Sequence, residues 1–286
     1  MSRSPNLTMR LRRLGRELRK LREDSGLTIE DAGHAIERSD STISRIENGS
    51  RKPQLIELKG LLDAYGTPAE VREALLNLLR QGPEQGWWEA FEDTLPSTLT
   101  TYIGLEADAA TLRVYALALV HSLLRTEEYS RAVLRAGRPT APVDELENLV
   151  TFHARRQEVL RREPQPLALL VVLDEACLRR AIGGPEVMRA QVEHLIHCAR
   201  NVPNITLQML PFSKGAHASL NGSFTILDFP DPTEPGAVYM DTPGGNLYMQ
   251  KPHDTRRFDA TFGDLRGIAL DESESVRLLE RALEEM

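Results

Sequence analysis

The chain has 286 residues, 41% of them hydrophobic and 27% charged, with a net charge of −7. That length suits two domains, and the composition is that of a folded chain, excluding disordered and fibrous classes. No run approaches the roughly 18 apolar residues of a membrane span. The basic N-terminus lacks the apolar segment of a secretory signal, and two cysteines, Cys177 and Cys198, make no disulfide framework, so a cytoplasmic protein without a cofactor is expected.

In chain order, Leu11, Leu14, Leu18 and Leu21 recur at three- and four-residue spacing, predicting an amphipathic helix that Gly26 ends. Thr28 stands three residues before Asp31, the spacing of a capping box, and opens a short second helix through Ile36. Ser39 can cap a third helix, with Ile43 and Ile46 turned inward and Asn48-Gly49 stopping it. Pro53 precedes a fourth helix carrying Leu55, Leu58, Leu61 and Leu62. Pro68 sits near the start of a fifth, with Val71, Leu75 and Leu78 on one face. Gly82-Pro83 and Gln85-Gly86 form a breaker cluster. The expected division is a first domain over 1–82, a linker over 83–104 anchored by Trp87, Trp88 and Phe91, and a second domain over 105–286.

Residues 105–135 and 142–163 read as helices joined by the Gly137–Pro142 turn. The period then changes, and the continuous apolar run PLALLVVLD (Pro166–Asp174) predicts a buried strand. A short helix from Glu175 and a longer one over Pro185–Arg200 follow. Ile205–Phe212, Gly222–Phe229, Ala237–Asp241 and Asn246–Lys251 are strand candidates between Gly/Pro-rich turns. Helices over about 254–269 and 272–285 finish the chain. The fold class is therefore multidomain: an all-α first domain of five short helices and a larger α+β domain with a small sheet flanked by helices.

The charges are unevenly placed. Residues 1–52 carry 12 Lys+Arg against 8 Asp+Glu, whereas residues 83–286 carry 20 against 30. A basic lobe on an acidic body is the asymmetry of a chain in which one domain meets phosphates. Five short helices with a tight second-to-third turn match a helix-turn-helix domain that binds double-stranded DNA. Its third helix would offer Asp40, Ser41, Thr42, Ser44 and Arg45 to base edges, the short polar groups approaching closely and the arginine reaching further. Thr28, Ser39, Arg51 and Lys52 are the candidate phosphate contacts.

The stretch LRKLREDSGLTIEDAGHAIERSDSTISRIENGSRKP resembles the Xre/Cro-type helix-turn-helix family, over about residues 10–66. The resemblance implies base reading by Asp40, Ser41 and Arg45, with Thr42 and Ser44 beside them, and an internal ion pair between Arg22 and Glu47. Three positions depart from the pattern: Ile29 where Gln is common, Ala32 where Leu is usual, and Glu37-Arg38 where Gly and an apolar residue are typical. Farther on, YIGLEADA, LLRTEEYSRAVL, RRQEVL, LDEACLRRAIGGPEVMRAQVEHL, LPFSKGAHASLNGSFTILDFPD and VYMD look like the C-terminal domain of unknown function in actinobacterial, WhiJ-like regulators. Here the departures are His121–Thr126 in place of Pro-Gly-Leu-Leu-Gln-Thr, and Asp241 in place of Glu. The resemblance implies a homodimeric transcriptional repressor whose second domain dimerises or senses a small-molecule effector or small protein partner. It also implies an alternative, an antitoxin-like protein that sequesters such a partner and uses DNA binding for autoregulation.

Enzyme and metal readings compete with these. His194, His197 and Cys198 have helical metal-ligand spacing, but no second ligand cluster accompanies them, so no metal is expected. Asp174-Glu175 directly follows a strand, where helix capping explains a carboxylate pair as well as acid–base chemistry does. The loop PFSKGAHASLNGSF gathers Lys214, His217, Ser219 and Asn221. No GxSxG elbow or third orienting group points to catalysis there, and a ligand or partner loop is expected. The Gly244-Gly245 turn lacks a phosphate-loop lysine and reads as a hairpin.

Overall fold

The computed structural model describes residues 5–80, 87–91, 95, 97–230, 236–242 and 245–286. The chain forms two compact units, Met1–Glu89 and Ala90–Met286. The breaker cluster at 82–86 and Gly244 lie outside the described residues. Among the described residues, no helix is long and apolar enough to cross a membrane.

The first unit holds α1 (Pro5–Asp24), α2 (Ile29–Ala35), α3 (Asp40–Glu47), α4 (Leu55–Ala64) and α5 (Ala69–Arg80). Their apolar stripes meet in one core that includes Leu14, Leu18, Ile43, Ile46, Leu58, Leu61 and Leu76. Two interior glycines set how closely these helices approach. A Cβ on Gly15 of α1 would stand 2.3 Å from the Glu47 carbonyl oxygen, and one on Gly33 of α2 would stand 2.6 Å from that of Arg38. Thr28 and Asp31 form the capping box of α2, the Asp31 amide donating to Thr28 Oγ1 at 3.1 Å and the Thr28 amide to Asp31 Oδ2 at 2.8 Å. Ser39 takes the N-cap position of α3 but caps no backbone amide. Its hydroxyl pairs instead with those of Ser41 and Thr42, at 3.0 and 3.1 Å.

A 3-10 turn, Trp87–Phe91, runs across the division between the units in the chain, and the second unit then opens with α6 (Ser97–Asp108), which occupies part of the stretch expected as linker. Then come β1 (Thr111–Ala116), α7 (Glu127–Gly137), α8 (Val143–Arg156), β2 (Ala168–Asp174), α9 (Ala176–Arg179) and α10 (Pro185–Asn201). β3 (Ile205–Leu210), β4 (Phe224–Asp228), β5 (Ala237–Thr242), β6 (Gly245–Met249), α11 (Pro252–Ile268) and α12 (Glu272–Glu284) complete it. The expectation of continuous helix over 105–135 is corrected: TLRVYA is β1, a central strand. Its alternation, Thr-Leu-Arg-Val, lasts only four residues between Ala/Leu-rich flanks, with Leu112 and Val114 buried and Thr111 and Arg113 only partly so, which is too short a signal to stand out from a helical run.

The six strands form one mixed sheet in the order β3-β2-β1-β4-β5-β6. β1, β2 and β3 run parallel, and β4, β5 and β6 continue antiparallel from β1. One face, with Tyr115, Val172, Phe224, Ile226 and Val238, packs against Phe262 and Leu265 of α11. The alternate residues Val114, Val171, Thr225 and Tyr239 share the other face by register. There Tyr102 of α6 lies 4.1 Å from Tyr239, centroid to centroid. This topology brings the loops after β1, β2 and β3 to one end of the sheet, where open α/β sheets place ligands.

Candidate nucleic-acid interface

α3 is anchored on one side and open on the other. Ile43 and Ile46 are fully buried in the core, and Glu47 beside them is buried as well. Arg22 of α1 donates to Glu47 through Nε at 2.7 Å and Nη2 at 3.0 Å, and through Nη1 to the Leu27 carbonyl at 2.9 Å. This two-pronged contact ties the end of α3 to α1 and satisfies both charges out of water.

On the open side Asp40, Ser41, Ser44 and Arg45 are exposed. Arg45 lies back along the helix, its Nε donating to the Ser41 carbonyl at 3.0 Å. Thr42 does not join them: it is buried, its hydroxyl against Ser39, because position 42 lies one turn before the core residue Ile46 and shares its face of the helix. Arg51 also departs from expectation. Its Nη2 donates to Glu57 Oε1 at 2.9 Å, and Arg38 Nε donates to the same oxygen at 2.7 Å. Lys52 remains exposed, and Thr28 is exposed with its hydroxyl donating to Asp31 at 2.6 Å.

Glu57 is the residue the sequence reading missed in this unit. Its second carboxylate oxygen accepts the Gln54 amide at 2.8 Å, which anchors the start of α4. Burial alone would raise its pKa, but Arg51, the Gln54 amide and Arg38 outweigh that and hold it at about 2. The spacing Gln54–Glu57 directly after Pro53 was the available signal, since it is that of a capping box. Glu37 adopts φ +55° in the α2–α3 turn, the conformation for which glycine is the default residue. Arg38, next in the turn, brings its guanidinium to buried Glu57.

In the second unit the loop Pro211–Phe224 does not gather its four candidates. Lys214 and Asn221 are exposed, whereas the His217 side chain is buried. His217 Nδ1 accepts the Ser219 amide at 3.3 Å, and its Nε2 lies 3.2 Å from the Tyr115 hydroxyl, which donates to Asp174 at 3.3 Å. Asp174 Oδ1 also accepts the Ala176 amide at 2.9 Å, so it opens α9 as well as facing Tyr115. Ser219 donates to the Gly222 carbonyl at 2.8 Å, which points its hydroxyl away from the His217 relay. Glu175 accepts from Arg179 and from the Phe212 amide. His194 Nε2 and Cys198 Sγ are 3.5 Å apart, while His197 contacts Asn201. No group of three such side chains is placed to hold a metal among the described residues.

An anchored, exposed third helix after a tight turn, in a five-helix unit, defines the class: a helix-turn-helix DNA-binding regulator. Residues 13–75 match the family model described as Helix-turn-helix domain. Residues 99–281, more than half of the chain, match that of the Domain of unknown function (DUF5753), and the chain belongs to this family. No curated protein and no solved structure matches the chain.

Proposed function

We propose that the chain is a cytoplasmic, sequence-specific transcriptional regulator of the Xre type, related to the actinobacterial WhiJ-like proteins. It acts as a homodimeric repressor on a pseudo-palindromic operator. Its second unit dimerises and senses an effector or small partner, with the Pro211–Phe224 loop as one contact through exposed Lys214 and Asn221, His217 and Ser219 holding the loop's shape. The observation that carries this reading is the exposed set Asp40, Ser41, Ser44 and Arg45 on a helix whose opposite side is fixed by Ile43, Ile46 and Glu47. A helix held this firmly can present side chains to the major groove without paying for its own ordering. Arg45 reads a base, Asp40 accepts from a cytosine amino group, and Lys52, with Thr28 and Ser39 at helix starts, meets phosphates.

The test is Arg45→Ala, assayed by fluorescence anisotropy on an operator found by genome-wide binding and on random duplex. Discrimination should fall by about 1–3 kcal/mol, with random-DNA affinity little changed. An equal loss on both duplexes would overturn base reading by Arg45.

A further inference from the structure

The turn between β1 and α7 carries two partly buried basic side chains. His121 and Arg125 from this turn and His153 from α8 all keep partial solvent access. Burial nevertheless pushes Arg125 down to about 10 and His153 down to about 3, and lowers His121 well below the usual histidine range. Geometry brings them together: Gln157, one turn after His153, donates to the Arg125 carbonyl, so the end of α8 lies against the turn that carries His121 and Arg125. The guanidinium charges of Arg125 and Arg156 lower both imidazoles further, which places the four groups within one electrostatic neighbourhood.

The two arginines differ in how their charge is met. Arg156 donates through Nε and Nη2 to the two oxygens of buried Glu106, each at 2.5 Å. Arg125 has no such partner. Its Nε donates to the Val120 carbonyl at 2.6 Å and its guanidinium lies 5.8 Å from the Tyr129 ring centroid, with no carboxylate at ion-pair distance among the described residues. His153 Nδ1 is likewise buried without a hydrogen-bond partner. The turn is also braced against relaxing toward water. Gln157 donates to the Ser122 and Arg125 carbonyls at 3.2 and 2.7 Å. Fully buried Gln191 donates to the Leu124 carbonyl at 2.7 Å and accepts the Thr126 amide at 2.8 Å.

A desolvated cation held away from any counter-charge is expensive, and a ligand that supplies the charge removes that cost. We propose that the recess formed by His121, Arg125 and His153 binds a small molecule bearing an oxyanion, a carboxylate or a phosphate. The planar Arg125 fork engages two of its oxygens through the Nη groups, and a His153 N–H donates to it. This deepens the effector-sensing part of the proposed function and rests on that reading only for the consequence at DNA.

The test uses the full chain, with inorganic phosphate and acetate as probes at constant ionic strength. Isothermal titration and thermal unfolding report binding, and imidazole NMR resonances report its place. At least one probe should bind saturably, raise Tm and shift the His121 and His153 resonances. Arg125→Gln should weaken it about tenfold or more, Arg125→Lys by less, because lysine keeps the charge and loses the fork. Arg135→Gln, on the exposed surface of α7, should leave it unchanged. Absence of saturable binding up to tens of millimolar, equal binding by Arg125→Gln, or unmoved His121 and His153 resonances would overturn the site. If Arg125→Gln fails to fold, Arg125→Lys and the wild-type resonances decide. Binding that leaves operator affinity unchanged would keep the recess and remove its regulatory role.

Discussion

Gly15 shows how one missing side chain positions the reading helix. In the middle of α1 a glycine costs about 1 kcal/mol against alanine, so helix propensity alone says that Gly15→Ala stabilises. Geometry says the reverse. The new methyl would lie 2.3 Å from the Glu47 carbonyl oxygen and 2.5 Å from that of Ile46, and both atoms belong to backbone that cannot rotate away. α1 and α3 must then separate, and the Arg22–Glu47 pair that bridges them stretches with them. Overpacking of this kind costs about 1–3 kcal/mol, occasionally more. Gly15→Ala should therefore lower the stability of the first unit by about 2 kcal/mol, measured by calorimetry, and weaken DNA binding as α3 shifts. A rise in stability would mean that the helix pair is looser than this packing requires.

α4 begins on a carboxylate shared by two arginines, which couples the start of that helix to both the α2–α3 turn and the segment after α3. Glu57 is held at about 2, below its ordinary value of 4.5, so its contribution is fully present above pH 4.5 and is lost as pH falls toward 2. Glu57→Gln should destabilise the first unit at neutral pH, and the gap from wild type should narrow as the pH falls through that window. Calorimetry at several pH values measures it, and a gap independent of pH would remove the carboxylate from the account. The same element separates what the sequence discloses from what it hides. Helices α1 to α5 follow from leucine spacing and caps, because their periodicity is local. The Arg38–Glu57–Arg51 cluster joins residues 19 and 6 positions apart, and no spacing rule reaches across the turn to pair them. β1 is hidden for a related reason. Its alternating stretch, Thr111 to Val114, is only four residues long between Ala/Leu-rich flanks, and its pairing with β2 and β4 is what tells it from a helical segment. The surroundings of Arg125 join the turn after β1 to α8, about 30 residues on, so only the folded chain assembles them.

At the scale of the whole molecule, two compact units on one chain raise the question of what the second adds to DNA binding. The exposed face of α3 is eight residues long at most, enough to read a few base pairs. One such helix on one half-site leaves most of the specificity of a bacterial operator unaccounted for. If the second unit dimerises, the second half-site is met at an effective concentration set by the tether rather than by free protein, and affinity rises by about 10²–10⁴ without a new contact. Half-sites would then lie roughly 34 Å apart, one turn of the duplex. A fragment of residues 1–89 should accordingly bind the operator far more weakly than the full chain. It should also lose about half of the steepness with which affinity falls as salt rises, because half of the phosphate contacts are gone. Anisotropy titrations across a salt series, with footprinting of both proteins, measure this. Equal affinity, equal salt slope and the same footprint would show that the first unit dimerises by itself or binds as a monomer, and dimerisation would then no longer be a role of the second unit.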